Sequence, residues 1–180
     1  KENSTVYFKD AEMQIDAGAV AKGFAAERIS QYIVQNRLWN SAILSLGGNI
    51  KTVGLKEGKK PFVIGIENPK NTSVFTCRVS LKNTDSVVTS GDYQRYYTVE
   101  GKNYCHIIHP DTLMPADFVS SVSVISDNSG YSDMLSTALF NMSVQEGMDF
   151  VNSMDNTEAM WVDKNGKVSY SSGFNKYLVQ

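Results

Sequence analysis

Between Phe62 and Ile108 the chain passes through five strand-type segments with no helical pattern to separate them. They are Phe62–Ile66, Ser73–Leu81, Ser86–Thr89, Tyr96–Val99 and Asn103–Ile108, punctuated by turn residues at Asn68-Pro69, Asn83–Asp85 and Glu100-Gly101. A doubly wound fold needs a helix to carry the chain between parallel strands, and this stretch has none. It points instead to an α+β domain: a mixed or antiparallel β-sheet core with flanking helices. At 180 residues the chain has the length of one domain, and 42% hydrophobic against 20% charged residues excludes intrinsic disorder.

The flanks supply the rest. Tyr7-Phe8 and Met13–Ile15 read as short strand pieces. Val20–Asn36 reads as a helix whose Ala21, Phe24, Ala25, Ile29, Tyr32 and Ile33 form one buried stripe. Ala42–Leu46 reads as a buried strand stopped by Gly47-Gly48-Asn49, and Val119–Ile125, alternating apolar with serine, as a half-buried one. Two helices follow, Tyr131–Met142 with Leu135, Ala138, Leu139 and Met142 on one face, and Val144–Ser153. Met160–Val162 and Val168–Tyr170 close the chain as a hairpin.

Some function classes are excluded early. A net charge of −2 carries no nucleic-acid footprint, and no apolar run approaches the ~20 residues that span a bilayer. Lys1–Thr5 is polar with no signal-peptide core, so the protein is expected to begin upstream of Lys1. Cys77 and Cys105 are too few for a disulfide scaffold or a four-cysteine zinc site, and a single bridge between them stays open.

Four segments offer chemistry, each with an ordinary reading beside it. In Asp16–Gly23 a strand end, a small-residue loop and a helix start follow one another. The free N–H groups and positive dipole end of the helix suit an anion, which would also offset Lys22 in the first turn. The ordinary reading is a helix capped by Asp16 with a solvated Lys22. Thr89-Ser90-Gly91-Asp92-Tyr93 sets two hydroxyls, a glycine and a carboxylate at a strand end, suited to phosphate oxygens or ribose but also to any turn. His106 and His109 are the two histidines. Three apart on a strand they face opposite ways, so one acts singly, as an acid, base or donor, or is simply packed. Asp133 and Thr137 share a helix face as hard oxygen donors of the kind magnesium takes, or else Asp133 merely stabilises a helix start. Together the four suit a diphosphate ligand handled with magnesium.

The wording and order of these blocks resemble the ApbE family of flavin transferases, the FAD:protein FMN transferases once labelled thiamine biosynthesis lipoproteins. The family's Asp-Leu-Gly-Gly-Ile-Ala-Lys-Gly-Tyr loop-helix corresponds to Asp16–Phe24, and its Gly-Gly-Asn/Asp strand end to Gly47–Asn49. Thr-Ser-Gly-Asp-Tyr is intact at Thr89–Tyr93. The Gly-Lys-x-Tyr-x-His-Ile-Ile-Asp-Pro-x-Thr-Gly-x-Pro block corresponds to Gly101–Pro115, and Ala-Asp-x-x-x-Thr-Ala to Ser132–Ala138. The resemblance implies a T-fold-related fold whose N-terminal part is missing here, so that residues 1–180 form a single flavin transferase domain, the C-terminal part of a longer chain. It implies that Asp16 and Lys22 contact FAD, that Thr89, Ser90 and Gly91 line the nucleotide cleft, and that His106 sits beside the diphosphate with Ile108 against the cofactor. The Ala19 carbonyl, Asp133 and Thr137 would hold Mg2+. The implied reaction moves FMN from FAD onto a Thr or Ser hydroxyl of a target flavoprotein and releases AMP, with Asp133 or His106 assisting deprotonation. An FAD diphosphatase and a non-catalytic FAD-binding protein are the alternatives. The resemblance also implies a bacterial envelope location, on the outer face of the cytoplasmic membrane, through a lipid anchor upstream of Lys1. Two positions depart from the pattern: His109 replaces Asp, and Leu113 replaces Gly.

Overall fold

A computed structural model describes Asn3 and residues 5–179; Lys1, Glu2 and Ser4 of the polar opening, and Gln180, lie outside the described residues. Six strands form the main sheet: β1 (Ser41–Leu46), β2 (Asn49–Gly54), β5 (Ser86–Gly91), β8 (Val119–Ser126), β9 (Glu158–Asp163) and β10 (Val168–Tyr170), in that spatial order. Every neighbouring pair is antiparallel. Two ribbons stand apart from it, β3 (Phe62–Asn68) with β4 (Asn71–Leu81), and β6 (Tyr96–Val99) with β7 (Lys102–Cys105). The helices are α1 (Ala21–Gln35), α2 (Ser129–Phe140) and α3 (Val144–Asn152). None is long and apolar enough to cross a membrane. The α+β architecture expected from the strand-rich middle is therefore the one observed.

The sheet is covered on both faces, so the core is double. On one side Val122 and Val124 of β8 and Trp161 of β9 pack with Leu135, Leu139 and Phe140 of α2. On the other, Val87, Ile125, Met160 and Val162 pack with Ile66, Val79 and Leu81 of the β3–β4 ribbon and with Phe174. This arrangement corrects the half-buried reading of Val119–Ile125. All eight residues of β8 are buried, because its serines also have a roof: Ser123 pairs with Thr89 of β5 at 2.8 Å, while Ser121 Oγ is buried without a partner among the described residues. The α2 side has its own hydroxyl layer. Ser132 lies 2.7 Å from Ser126 and 3.3 Å from Ser86, and Ser136 lies 2.8 Å from Ser90. Small hydroxyl side chains let α2 sit close to the strands while the buried oxygens of Ser132 and Ser136 keep partners; Ser129 Oγ, in the first turn, has none among the described residues.

Four other expectations need correction. Tyr7-Phe8 and Met13–Ile15 form no strand. β1 alternates exposed with partly buried residues, since it is the sheet's edge and is not enclosed. On α1 the buried residues are Gly23, Ala26, Ser30 and Ile33, whereas Phe24 is 59% and Tyr32 61% exposed. α1 packs on α2 and β2, and so close an approach selects its small side over its aromatic one. Finally, the strand expected over Asn103–Ile108 ends at Cys105. There the chain turns into a loop closed by the Ile108–Pro115 bridge and an Ala116 N–H bond to the Ile107 carbonyl at 2.8 Å.

β2 is absent from the sequence reading altogether. Its segment, Asn49-Ile50-Lys51-Thr52-Val53-Gly54, carries three polar side chains, yet Asn49, Lys51 and Thr52 are all buried. Gly47 and Gly48 supply φ of +53° and +91°, the paired left-handed geometry that a two-residue hairpin loop needs, and so return the chain as β2. Lys51 is then neutralised inside the fold. Its ammonium lies 2.9 Å from Glu27 of α1 and donates to the Thr84 and Asp127 carbonyls, while Glu27 accepts the Ser129 N–H at 2.9 Å. One ion pair thus ties α1 to β2 and to the first turn of α2. Cys77 and Cys105 are free thiols, so the bridge left open by sequence is not formed.

Candidate active site

The start of α1, the end of β5, the loop after β7 and the middle of α2 converge on one cleft of about 310 Å³. Ten residues singled out from sequence line it, namely Asp16, Ala19, Lys22, Thr89, Ser90, Gly91, His106, Ile108, Asp133 and Thr137, whereas Asp92, Tyr93 and His109 do not. Its position follows from local chemistry. Asp16 does not cap α1, as the ordinary reading had it; its Oδ1 accepts the Gly18 N–H at 2.6 Å and rounds the loop ahead of the helix. The N-cap position is Val20, which has no capping side chain; the Ala21 N–H goes to the Ala17 carbonyl at 2.8 Å, and in the first turn the Lys22 N–H is left without a partner among the described residues. Lys22 is not loosely solvated either. Its ammonium donates to the Gly47 carbonyl at 2.9 Å, which places the charge beside the β1–β2 turn.

The central feature is a redirected backbone hydrogen bond. In a regular helix start the Gly23 N–H would point at the Ala19 carbonyl, four residues back. Instead it donates to Asp133 Oδ2 at 2.8 Å, across the α1–α2 contact. The Ala19 carbonyl then receives no backbone hydrogen bond among the described residues, and Asp133, only 4% exposed, is held by one oxygen with the other free. Thr137 Oγ1 stands one turn further along α2, 3.4 Å from the Asp133 carbonyl and 3.4 Å from Ser90 Oγ. A carbonyl, a carboxylate oxygen and a hydroxyl make a hard-oxygen donor set, fitted to a small divalent cation that completes its shell with ligand phosphate and water. Among the described residues no group of three His, Cys, Asp or Glu side chains competes as a metal centre. Gly23 is indispensable to this contact: a Cβ there would meet the Ser129 carbonyl oxygen at 2.3 Å and Asp133 Cβ at 2.5 Å. Gly23→Ala should cost about 1–3 kcal/mol by forcing the helices apart, as thermal denaturation would read, and should weaken cation binding with it.

His106 lies just past β7 rather than on a strand, so the opposite-faces argument does not apply. Its Nδ1 is 3.1 Å from the Arg95 carbonyl; a carbonyl only accepts, so Nδ1 carries the hydrogen. In the neutral ring Nε2 is then a free acceptor.

His109 stands outside this cleft. Its Nδ1 accepts from the Asp111 and Thr112 N–H groups at 3.3 and 3.4 Å, the turn-closing role that the carboxylate of an Asp commonly fills. Leu113, where the pattern has Gly, adopts φ +56° with its side chain 74% exposed. Leu113→Gly should therefore stabilise the protein by up to about 1 kcal/mol, the relieved left-handed strain less the greater chain entropy of glycine, read from urea unfolding.

Sequence reasoning passed over Gly18, Gln94, Arg95, Ile107 and Asn141, which also line the cleft. Arg95 adds a second cation to Lys22. Asn141 donates to the Thr137 carbonyl at 3.1 Å, and its Oδ1 has no partner among the described residues. Their signal was adjacency: Gln94 and Arg95 directly follow Thr89–Tyr93, and Asn141 lies one turn beyond Thr137.

A helix start carrying Lys22, a hard-oxygen donor set and an oriented histidine thus meet in one cleft of an α+β domain, a set of groups chemically suited to an anion and a small divalent cation. The chain belongs to the ApbE family, whose model matches residues 1–161. It is 34% identical over 169 residues to a protein of Klebsiella pneumoniae (strain 342) and 35% identical over 178 residues to one of Treponema pallidum (strain Nichols), both named FAD:protein FMN transferase. These alignments cover 93% and 94% of this chain but 51% and 49% of the relatives, so the chain spans about half their length. Among solved structures, the ApbE protein from Thermotoga maritima superposes with a TM-score of 0.85 at 33% identity, over 93% of this chain and 54% of that one. The flavin transferase ApbE from Vibrio cholerae gives 0.76 at 28% identity, over 93% and 53%.

Proposed function

We propose that this chain carries the FAD-handling part of an Mg2+-dependent FAD:protein FMN transferase. The observation that carries the reading is the Gly23 N–H bond to Asp133, which frees the Ala19 carbonyl and orients the carboxylate together. The names of the relatives support flavin transfer as the chemistry. A magnesium ion held by Asp133, Thr137 and the Ala19 carbonyl would supply charge neutralisation on the diphosphate.

The chain's own residues do the rest. Lys22 and Arg95, with the unpaired Lys22 N–H at the start of α1, hold the diphosphate in the cleft. Asp16, Thr89, Ser90, Gly91 and Ile108 shape the nucleotide site around it. His106 Nε2, free because Nδ1–H is given to Arg95, takes the proton from the acceptor hydroxyl. The oxygen of a Thr or Ser on the target flavoprotein then bonds to the FMN phosphorus, the anhydride bond to the adenylate breaks, and AMP leaves.

The test uses the protein that carries this chain, with FAD, MgCl2 and a pool of synthetic peptides each containing one Thr or Ser. A peptide gaining the mass of FMN, with one AMP released for each, supports the reading. FMN and AMP released without a labelled peptide would make the protein an FAD diphosphatase, and FAD bound without turnover would make it a carrier.

A further inference from the structure

Lys164 lies in the turn between β9 and β10, Asp163-Lys164-Asn165-Gly166, where a lysine ordinarily does no more than meet solvent. The turn is stiff. Asp163 Oδ1 accepts the Asn165 and Lys167 N–H groups at 2.8 Å each, and Gly166, at φ +89°, donates its N–H to the Asp163 carbonyl at 3.0 Å. Asp163 pairs with Val119, the first residue of β8, so Lys164 is presented to the loop that leads into that strand. Its ammonium bridges two carboxylates, Asp92 at 2.9 Å and Asp117 at 2.7 Å, and among the described residues neither carboxylate has another ion pair. Burial alone would lower the ammonium. The hydrogen bonds and charges of Asp117 and Asp92 outweigh it and hold the group above its ordinary value of 10.5, so the bridge is charged throughout the neutral range.

The two carboxylates belong to two loops, and each loop is bonded to the His106 segment. Asp92 opens the turn after β5, where its N–H is rooted on the Ser120 carbonyl at 3.0 Å. At the end of that turn the Arg95 carbonyl accepts the His106 N–H at 3.2 Å and the Nδ1–H of its ring at 3.1 Å. Asp117 follows Ala116, whose N–H is bonded to the carbonyl of Ile107, the residue after His106, at 2.8 Å. The contacts therefore close on themselves. They run from Lys164 to Asp92, along the turn to Arg95, across to His106, through Ile107 to Ala116, and from Asp117 back to Lys164. Lys164 itself lies outside the cleft. With its side chain 35% and that of Asp117 75% exposed, the bridge adds little to global stability. Its effect is local, because without it the two loops that hold the histidine are free to shift against each other.

We infer that Lys164 is a positioning residue, which closes from outside the cleft the ring of contacts that holds the His106 imidazole with Nδ1–H on the Arg95 carbonyl and Nε2 free. Its effect on turnover rests on the transferase reading above, since a small displacement of a proton-accepting group slows a reaction. Its effect on the imidazole does not.

The test is Lys164→Met, which keeps an unbranched apolar stem and removes the charge, made in the protein that carries this chain and labelled with 15N-histidine. The His106 signals are those lost in His106→Gln, and at about pH 8, where an ordinary imidazole is neutral, they report which ring nitrogen carries the hydrogen. The wild type should show it on Nδ1. Lys164→Met should show both tautomers in exchange, with a melting temperature within about 4 °C of the wild type. Lys164→Arg, which can still span both carboxylates, should return the wild-type signals. In the peptide-labelling assay Lys164→Met should lower kcat about fivefold or more and leave KM for FAD within about twofold. Unchanged His106 signals in Lys164→Met overturn the inference. A change that Lys164→Arg fails to restore, or that comes with a larger fall in melting temperature, overturns it too, because Lys164 would then serve the fold as a whole. A changed ring with unchanged kcat upholds the positioning and removes His106 from the proton transfer. A wild type that labels no peptide removes the transferase reading, and the nitrogen signals still decide the positioning.

Discussion

Asp133→Asn should remove cation-dependent turnover by two orders of magnitude or more while the protein stays folded. The amide oxygen of Asn still accepts the Gly23 N–H that Asp133 Oδ2 takes at 2.8 Å, so the α1–α2 contact keeps its buried hydrogen bond. The negative charge that would face a cation under the proposed function is gone, and loss of one such electrostatic contact typically costs about 3 kcal/mol or more in the transition state. Melting temperature should move little, FAD affinity should fall much less than turnover, and magnesium titration should lose its saturation. Asp133→Ala separates the two roles. It also abandons the Gly23 N–H in a buried place and should add about 1–3 kcal/mol of destabilisation that Asn avoids. Equal losses of turnover and FAD affinity in Asp133→Asn would argue for a binding protein rather than an enzyme.

Lys51→Ala should be the most damaging change to stability away from the cleft. The side chain is fully buried, and its removal strands the Glu27 carboxylate together with the Thr84 and Asp127 carbonyls. Breaking a buried pair from one side costs about 3–5 kcal/mol, which urea unfolding at neutral pH would measure. The effect should depend on pH in a defined direction. Burial alone would raise the Glu27 carboxyl. The hydrogen bond and charge of Lys51, with the Ser129 N–H and Gln31, outweigh it and hold the group below its ordinary value of 4.5. A carboxyl depressed in the folded state contributes its stability above the unfolded value and loses it as pH falls through the folded one. The gap between wild type and Lys51→Ala should therefore be widest at neutral pH and narrow below about 4.5. A gap that does not change with pH would mean that Lys51 acts by packing alone.

The parts of this molecule readable in the sequence are those in which adjacent residues carry the information. Asp16–Gly23 and Thr89–Tyr93 are contiguous, and Asp133 and Thr137 are one turn apart, so their chemistry shows in a linear reading. β2 does not show, because Lys51 looks like a surface residue until Glu27 is brought to it from α1. The orientation of α1 is hidden for a similar reason. Periodicity marks Phe24 and Tyr32 as core, but the partner surface on α2 accepts only the glycine side. The half-buried reading of β8 assumes one open face, and the β3–β4 ribbon closes it. In the cleft, Arg95 goes unnoticed in a linear reading because its part is played by a backbone carbonyl, which orients His106. The exchange of hydrogen-bond partner at Gly23 is a backbone event between segments 110 residues apart, with no residue type to signal it.

The hydroxyl layer beneath α2 has a polarity of its own. Ser136 gives its one proton to the Asp133 carbonyl at 2.9 Å, so at the 2.8 Å contact between Ser136 and Ser90 the donor must be Ser90. With its proton spent on the interior, Ser90 turns only lone pairs towards the cleft and towards Thr137. A phosphate oxygen would find no donor in that hydroxyl, whereas a cation or an N–H would find an acceptor. The cleft thus holds both kinds of group, the Lys22 ammonium as donor and the Ser90 hydroxyl and Asp133 carboxylate as acceptors, and a ligand must bring a partner for each.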